Sequence, residues 1–286
     1  LASITIVFLL YPFLSPYLPG VLFGRGARVE SVLSFLSLTG QGIYGIPIGV
    51  ASTYIILFTI FGAYLSESGA GNFFFKLSNS VTQGFTAASA KTAVIFSTLL
   101  GMISGSAAGN VAVTGSFTIP MMKKEGYKPH QAGAIEAVVS TGGQLMPPVM
   151  GAAAFIMAEI VGTPYVNIMK SGLMPALLFF ISILFVVHLQ AVKSGIGFDK
   201  QEDDNKEPLY KILFKGAPFL VPFIMLIGMM VLGYSPVLSS FYAILLIVIL
   251  HLLIVRDFSK EFIFKVVRAT INGVKSGVPI SLACAA

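Results

Sequence analysis

From Gly172 to Val192 the chain carries no Asp, Glu, Lys or Arg, and the same holds from Val237 to Val255. Runs of this length fix the class of fold before any motif is read. A bilayer offers the backbone no hydrogen-bond partners, so a spanning segment must be a helix or part of a closed barrel. Crossing roughly 30 Å of hydrocarbon takes about 20 mostly apolar helical residues. Ile4–Phe23, Tyr44–Leu65 and Ile212–Leu232 also qualify, together with a longer stretch from about Ala132 to Val161, and a further run begins near Gly277. The expected fold class is all-α integral membrane, with about 6 full spans and the start of a seventh. Composition matters at one point. Only 10% of the residues are charged, against about 25% in soluble domains. A water-soluble fold of 286 residues has no interior able to hide 56% hydrophobic content. The first residue, Leu1, and the last, Ala286, both sit inside apolar runs, so the chain reads as a piece of a longer one.

Two stretches depart from continuous spans. Thr92–Ser104 and Val111–Met122 are apolar arms of about a dozen residues, each reaching only about 20 Å. Between them lies Gly105-Ser106-Ala107-Ala108-Gly109-Asn110, small, polar and turn-forming. Two half-length helices on such a tip read as a re-entrant hairpin. The second interruption is Ser140-Thr141-Gly142-Gly143-Gln144-Leu145-Met146-Pro147-Pro148. Tandem prolines remove two amide donors and clash with the preceding turn, so this span is a broken helix. Irregular backbone at membrane depth persists where it lines a cavity or is buried in protein. The stretch Gly71–Ala90, with Asn72, Lys76, Asn79 and Gln83 among apolar neighbours, suits a helix lying along the surface before the hairpin.

Charge orients the layout. With the loop after Met122 placed inside, only Arg25, Arg28 and Lys170 of the 18 Lys and Arg fall outside. The formal charge of +6 is thus a topology signal, not a nucleic-acid footprint. The segment Gly45-Ile46-Pro47-Ile48-Gly49-Val50-Ala51 is matched by Gly277-Val278-Pro279-Ile280-Ser281-Leu282-Ala283. An odd number of crossings separates the copies, so they form an inverted repeat of the kind secondary transporters use. On this reading residues 1–232 are the first repeat: 1–66 scaffold and connector, 67–161 the hairpin and broken helix, and 172–232 further spans. Residues 233–286 begin the second repeat.

Helix ends near mid-membrane carry the chemistry. A C-terminus presents free carbonyls suited to a small cation, and an N-terminus presents free amides suited to an anion. Ser104, Ser106, Asn110, Thr114, Thr141 and Gln144 add side-chain oxygens. Small residues also let helices pack closely, which is the plainer reading of any one of them. Glu136 lies well inside a span, where an ionisable group is a functional candidate; alternatively it lies near enough to the interface to meet water or Lys128. Glu159 and His130, His188 and His251 read as interfacial. Cys284 is the one cysteine, so there is no intrachain disulfide and no zinc-type cluster. No cofactor is expected. No G-x-S-x-G or P-loop motif occurs, so an intramembrane hydrolase or a non-transporting scaffold is a weaker alternative to a carrier.

The stretch from Ser104 through Asn110, Thr114 and Pro120 to Lys124 resembles the first hairpin of the large permease subunit of TRAP (tripartite ATP-independent periplasmic) transporters, in particular the fused or TAXI-type branch. Gly126-Tyr127-Lys128-Pro129, Gly133–Ala137 and Ser140–Glu159 continue the likeness, and weaker similarity runs from about Leu9 to the C-terminus. The resemblance implies an inner-membrane, elevator-type carrier that imports a small organic anion, a carboxylate, with sodium as coupling ion. It also implies an extracytoplasmic solute-binding protein and a small four-helix membrane subunit, separate or fused, as partners. By position it assigns Ser106, Ala107, Asn110, Gln144, Pro147 and Pro148 to the substrate site, and Ser104, Gly105, Thr141, Gly142 and Gly143 to a sodium site. Another dicarboxylate elevator carrier is the neighbouring reading.

Overall fold

The computed structural model describes residues 2–196, 208–255 and 260–285. Lys200, Lys206, Arg256 and the acidic run Glu202-Asp203-Asp204, placed in inner loops by the charge argument, lie outside the described residues. The described residues form helices and connecting turns, with no strand among them.

The N-terminal run is not one span. Helix α1 (Ala2–Leu14) is 13 residues long, about 20 Å at the usual rise. It gives way to two 3-10 turns, Ser15–Tyr17 and Gly20–Leu22. The reason is local: Pro16 and Pro19 lack amide donors, and Leu18, before Pro19, is extended. The chain folds back, with Gly24 N–H donating to Ser15 O and Ala27 N–H to Pro12 O, both at 3.1 Å. Helix α2 (Val29–Leu38) follows, with none of its residues buried.

The first long helix runs from Ile46 to Glu67. It comprises α3 (Ile46–Val50), a π-turn at Ala51–Ile55 and α4 (Ile56–Glu67). Helix α5 (Ala70–Thr82) is amphipathic, with Asn72 and Lys76 exposed and its apolar face against protein. Phe73 and Phe74 are buried, and Phe73 lies so flat on Gly216 that a Cβ there would come within 1.9 Å of its ring. The hairpin arms are α6 (Ala88–Ser104) and α7 (Ala107–Lys124), both longer than their apolar cores because each extends into polar ends. Helices α8 (Pro129–Gly142) and α9 (Ala152–Val161) are the two halves of the broken span. Then come α10 (Tyr165–Ser194), α11 (Leu209–Val231) and α12 (Pro236–Val255). By length and composition, four helices can cross a membrane singly: 46–67, 165–194, 209–231 and 236–253. Their outward faces fit hydrocarbon, with Phe185, Val186 and Leu189 each at least 60% exposed.

Helix α13 (Lys260–Ala285) is continuous through the point where a new run is expected at Gly277. The connector and that run are one helix; Pro279 sits inside it without ending it. It packs antiparallel to α4. Thr270 and Tyr64 share a hydroxyl hydrogen bond of 2.9 Å, Gly273 abuts the Ile60 backbone, and Gly277 lies beside Ile56 and Thr59.

The buried apolar residues form two clusters. One joins α4, α5, α9, α11, α12 and α13 around Phe58, Phe61, Phe155, Leu226 and Met230. The other joins the hairpin base to α8 and α10 around Val94, Met122, Val139, Phe180 and Val187. Helix α10 serves both, through Tyr165 and Met169 at its start and Phe180 and Val187 further on.

Candidate functional site

The hairpin tip contracts to Gly105 and Ser106. Gly105 adopts φ +58°, and a Cβ there would lie 2.3 Å from the Met150 carbonyl oxygen. Both the dihedral and the contact require glycine. Ser106 caps α7, its Oγ accepting from the Gly109 N–H at 3.2 Å. The break meets this tip through backbone. The Val149 N–H donates to Met102 O at 3.3 Å, taking up one carbonyl at the end of α6. One turn earlier, a Cβ on Gly101 would be 2.5 Å from the Gly143 Cα. The irregular segment is braced by Tyr165, whose hydroxyl lies 2.8 Å from the carbonyl oxygens of both Pro148 and Val149. The Tyr165 ring stacks on Phe155 at 4.1 Å.

A cavity of about 20 Å³ remains at this junction. Ser104, Gly105, Met150 and Gly151 line it, with Thr59 of α4 and Ile280 of α13. Its size suits one water-sized occupant. A larger cavity of about 280 Å³ lies between the start of α10 and the α11–α12 turn. There Glu159 accepts from the Tyr54 hydroxyl at 3.1 Å.

The residues expected at a sodium site divide. Ser104 and Gly105 line the small cavity. Gly142 and Gly143 are buried at the end of α8, Gly142 beneath Phe179 and Gly143 against Gly101. Thr141 stands apart: it is exposed, and its hydroxyl donates back to Ala137 O at 2.7 Å. Of the residues expected to meet substrate, Ser106 and Ala107 are half-buried at the tip and Gln144 is exposed. Pro147 and Pro148 are buried in the break. Asn110 is fully buried; its Nδ2 donates to Ser97 O at 2.9 Å and its Oδ1 has no partner.

The structure also shows what the sequence did not. Thr59 joins the junction from a distant helix, one turn beyond the π-turn at 51–55, a distortion common at functional sites. Glu136 is completely buried, and its carboxylate meets side-chain hydroxyls. Its Oε1 accepts from Ser97 at 3.2 Å, from Ser140 at 2.8 Å and from Thr114; its Oε2 accepts from Thr118 at 2.5 Å. A signal was present: Asn110, Thr114 and Thr118 fall four residues apart on one face of α7, and Ser140 lies four after Glu136. At the hairpin base, Glu125 accepts from the Ser89 N–H at 3.0 Å and from its hydroxyl, so a carboxylate meets the first turn of α6. Next to it the buried Tyr127 hydroxyl is pushed well above the ordinary tyrosine range, chiefly by burial and further by Glu125. No three His, Cys, Asp or Glu side chains gather into a metal-binding group among the described residues.

The family model described as Tripartite ATP-independent periplasmic transporter, DctM component, matches residues 1–286. The chain belongs to that family. That family is one of transporters and not of enzymes, and the chain is a multi-pass inner-membrane protein. Among curated proteins it is 25% identical over 245 residues to Uncharacterized protein y4mL of Sinorhizobium fredii, covering 85% of this chain and 57% of that protein. It is 24% identical over 192 residues to Uncharacterized protein YgiK of Salmonella typhimurium, covering 67% of this chain and 43% of that protein. The chain spans about half the length of these relatives.

Proposed function

We propose that this chain supplies one half of the translocation pathway of a sodium-coupled carrier for a small organic anion. The hairpin and broken helix belong to the moving body of an elevator. An extracytoplasmic solute-binding protein delivers the carboxylate, and a small four-helix membrane subunit completes the complex. The observation that carries this reading is the junction itself. Two interrupted helical segments meet tip to break, and a water-sized cavity there is bordered by Ser104, Gly105, Gly151 and Thr59. Its lining is mostly apolar, with Ile55, Phe58, Val149 and Phe155, but the Thr59 and Ser104 hydroxyls supply oxygens of the kind a hard monovalent cation takes, and the capped start of α7 presents amides to a carboxylate. The antiparallel pairing of α4 with α13 supports an inverted repeat, since α4 continues from the first G-x-P segment and α13 leads into the second.

The test uses the full-length protein reconstituted in proteoliposomes, with labelled mono- and dicarboxylates presented with and without the neighbouring-gene binding protein. An inward sodium gradient is expected to drive uptake of at least one of them. In detergent, sodium is expected to raise the unfolding temperature, and Ser104→Ala to shrink that rise. Uptake and stability both indifferent to sodium would overturn the coupling assignment.

A further inference from the structure

The cage around Glu136 differs from a structural salt bridge in one respect: it contains no cation. The carboxylate is fully buried, and four hydroxyls from three helices donate to it: Ser97 on α6, Thr114 and Thr118 on α7 and Ser140 on α8. The titratable and basic groups on the elements packed around it are Lys91 on α6, Lys123 and Lys124 on α7, His130 on α8, and Tyr165, Lys170, His188 and Lys193 on α10. None of them bonds to Glu136; Lys91 lies over the Phe85 ring instead. A buried carboxylate without a cationic partner is costly unless it is neutralised or fully hydrogen-bonded. This one has the means for both.

The donors are shared unequally. Oε1 receives three hydroxyls and Oε2 only one. A carboxylate oxygen has about two acceptor sites, so Oε2 keeps one free. Each α7 threonine also has a second acceptor within reach. Thr118 Oγ1 lies 2.9 Å from Thr114 O, and Thr114 Oγ1 lies 2.7 Å from Asn110 O. A hydroxyl has one hydrogen and rotates to suit its surroundings.

We propose that Glu136 is an occluded proton-binding site, a second ion site distinct from the tip–break junction. A proton from solvent binds Oε2, forming one O–H bond. That new O–H donates to Thr118 Oγ1, and the Thr118 hydrogen turns from Glu136 to the Thr114 carbonyl. Every hydroxyl of the cage keeps an acceptor in either state, which lets one cage hold the anion and the neutral acid alike. A metal ion is a poorer occupant. The oxygens already stand 2.5 to 3.2 Å apart where they touch the carboxylate, at hydrogen-bond contact, so an ion would have to spread three helices. Gly115 holds α7 close here, since a Cβ on it would lie 3.3 Å from Glu136 Cγ. Exchange with solvent therefore requires α7 and α8 to part, which couples protonation to the hairpin's seating. This rests on the hairpin being a moving part of the carrier, as proposed above.

Infrared difference spectroscopy on the full-length protein, stepped in pH and repeated in heavy water, reads the site without any transport assay. The expected result is a carboxyl C=O band that appears on acidification, moves on deuteration and is lost in Glu136→Gln. Thr118→Val keeps the acid and removes its partner, so it should keep the band and shift it to higher frequency. The Thr118→Val result also covers the case in which Glu136→Gln fails to fold. A spectrum without any band sensitive to Thr118 or Glu136, or a carboxylate band that responds to sodium and not to pH, overturns the proposal. Loss of sodium-driven uptake with this band intact would instead count against the carrier reading alone.

Discussion

Two polar regions lie along the same hairpin, and they are built by opposite rules. Around Glu136, polar side chains satisfy one another inside regular helices, and every member is buried. At the tip and the break, the polar groups are backbone, the helices are interrupted, and Ser106, Gln144 and Thr141 remain partly or fully exposed. The first arrangement fixes three helices with respect to one another. The second leaves helix ends and a small cavity where a ligand can substitute for water. Binding and releasing a solute calls for the second kind; sealing a carboxyl group away from solvent calls for the first.

The sharpest way to break this contrast is Gly105→Ala. The left-handed dihedral costs about 1–2 kcal/mol for alanine, and forcing a methyl against the Met150 carbonyl adds about 1–3 kcal/mol. The control is Gly84→Ala, which has φ +88° but no atom within 4 Å of its Cβ. Thermal unfolding of the full-length protein should show Gly105→Ala clearly worse than Gly84→Ala. Equal losses would mean that the tip does not rest on the break. Next comes the sealed region. Thr114→Val removes a hydroxyl bonded to the buried Glu136 carboxyl group, a loss of about 1–3 kcal/mol. Thr98→Val on α6 removes only a bond to the Val94 carbonyl and should change stability by about 0.5 kcal/mol or less.

What was legible in the sequence follows the same division. The tip and the break announce themselves locally, through Gly105-Ser106 and Pro147-Pro148, because turn chemistry is a property of adjacent residues. The spans were legible where apolar runs are uninterrupted, but Ile4–Phe23 misled, since Pro16 and Pro19 count as apolar and still end a helix. The start of α6 at Ala88 was missed because the preceding Ala87 takes a positive φ, which no residue type advertises. The partners of Glu136 lie 39, 22, 18 and 4 positions away in the chain. Only the last of these is visible as helical spacing; the others depend on how three helices pack. Thr59 likewise reaches the junction through tertiary packing alone.

A smaller effect is expected at the N-cap. Ser106→Ala should cost about 1 kcal/mol, and Ser106→Asp should restore it, because either an alcohol or a carboxylate oxygen can accept from the Gly109 amide. Hydrogen exchange of the amides at 107–110 is the direct readout. Faster exchange confined to those amides sharpens the picture of a tip that opens locally. Faster exchange spreading to 114–118 would mean that the two regions open together and are not separate devices.

The smallest expected effect decides the membership of the junction. The resemblance places Thr141 in the proposed sodium set, but its side chain is exposed and its hydroxyl is engaged with Ala137 O. Ser104 lines the cavity and Thr141 does not. Thr141→Val should therefore change stability by about 0.5 kcal/mol or less, as exposed substitutions generally do. It should also leave the sodium-dependent rise in unfolding temperature as it was, while Ser104→Ala reduces that rise. If Thr141→Val weakens sodium's effect as much as Ser104→Ala does, the break must turn this residue inward when the ion binds. The junction would then be a site assembled by its ligand, and the contrast with the preformed Glu136 cage would become one of timing as well as architecture.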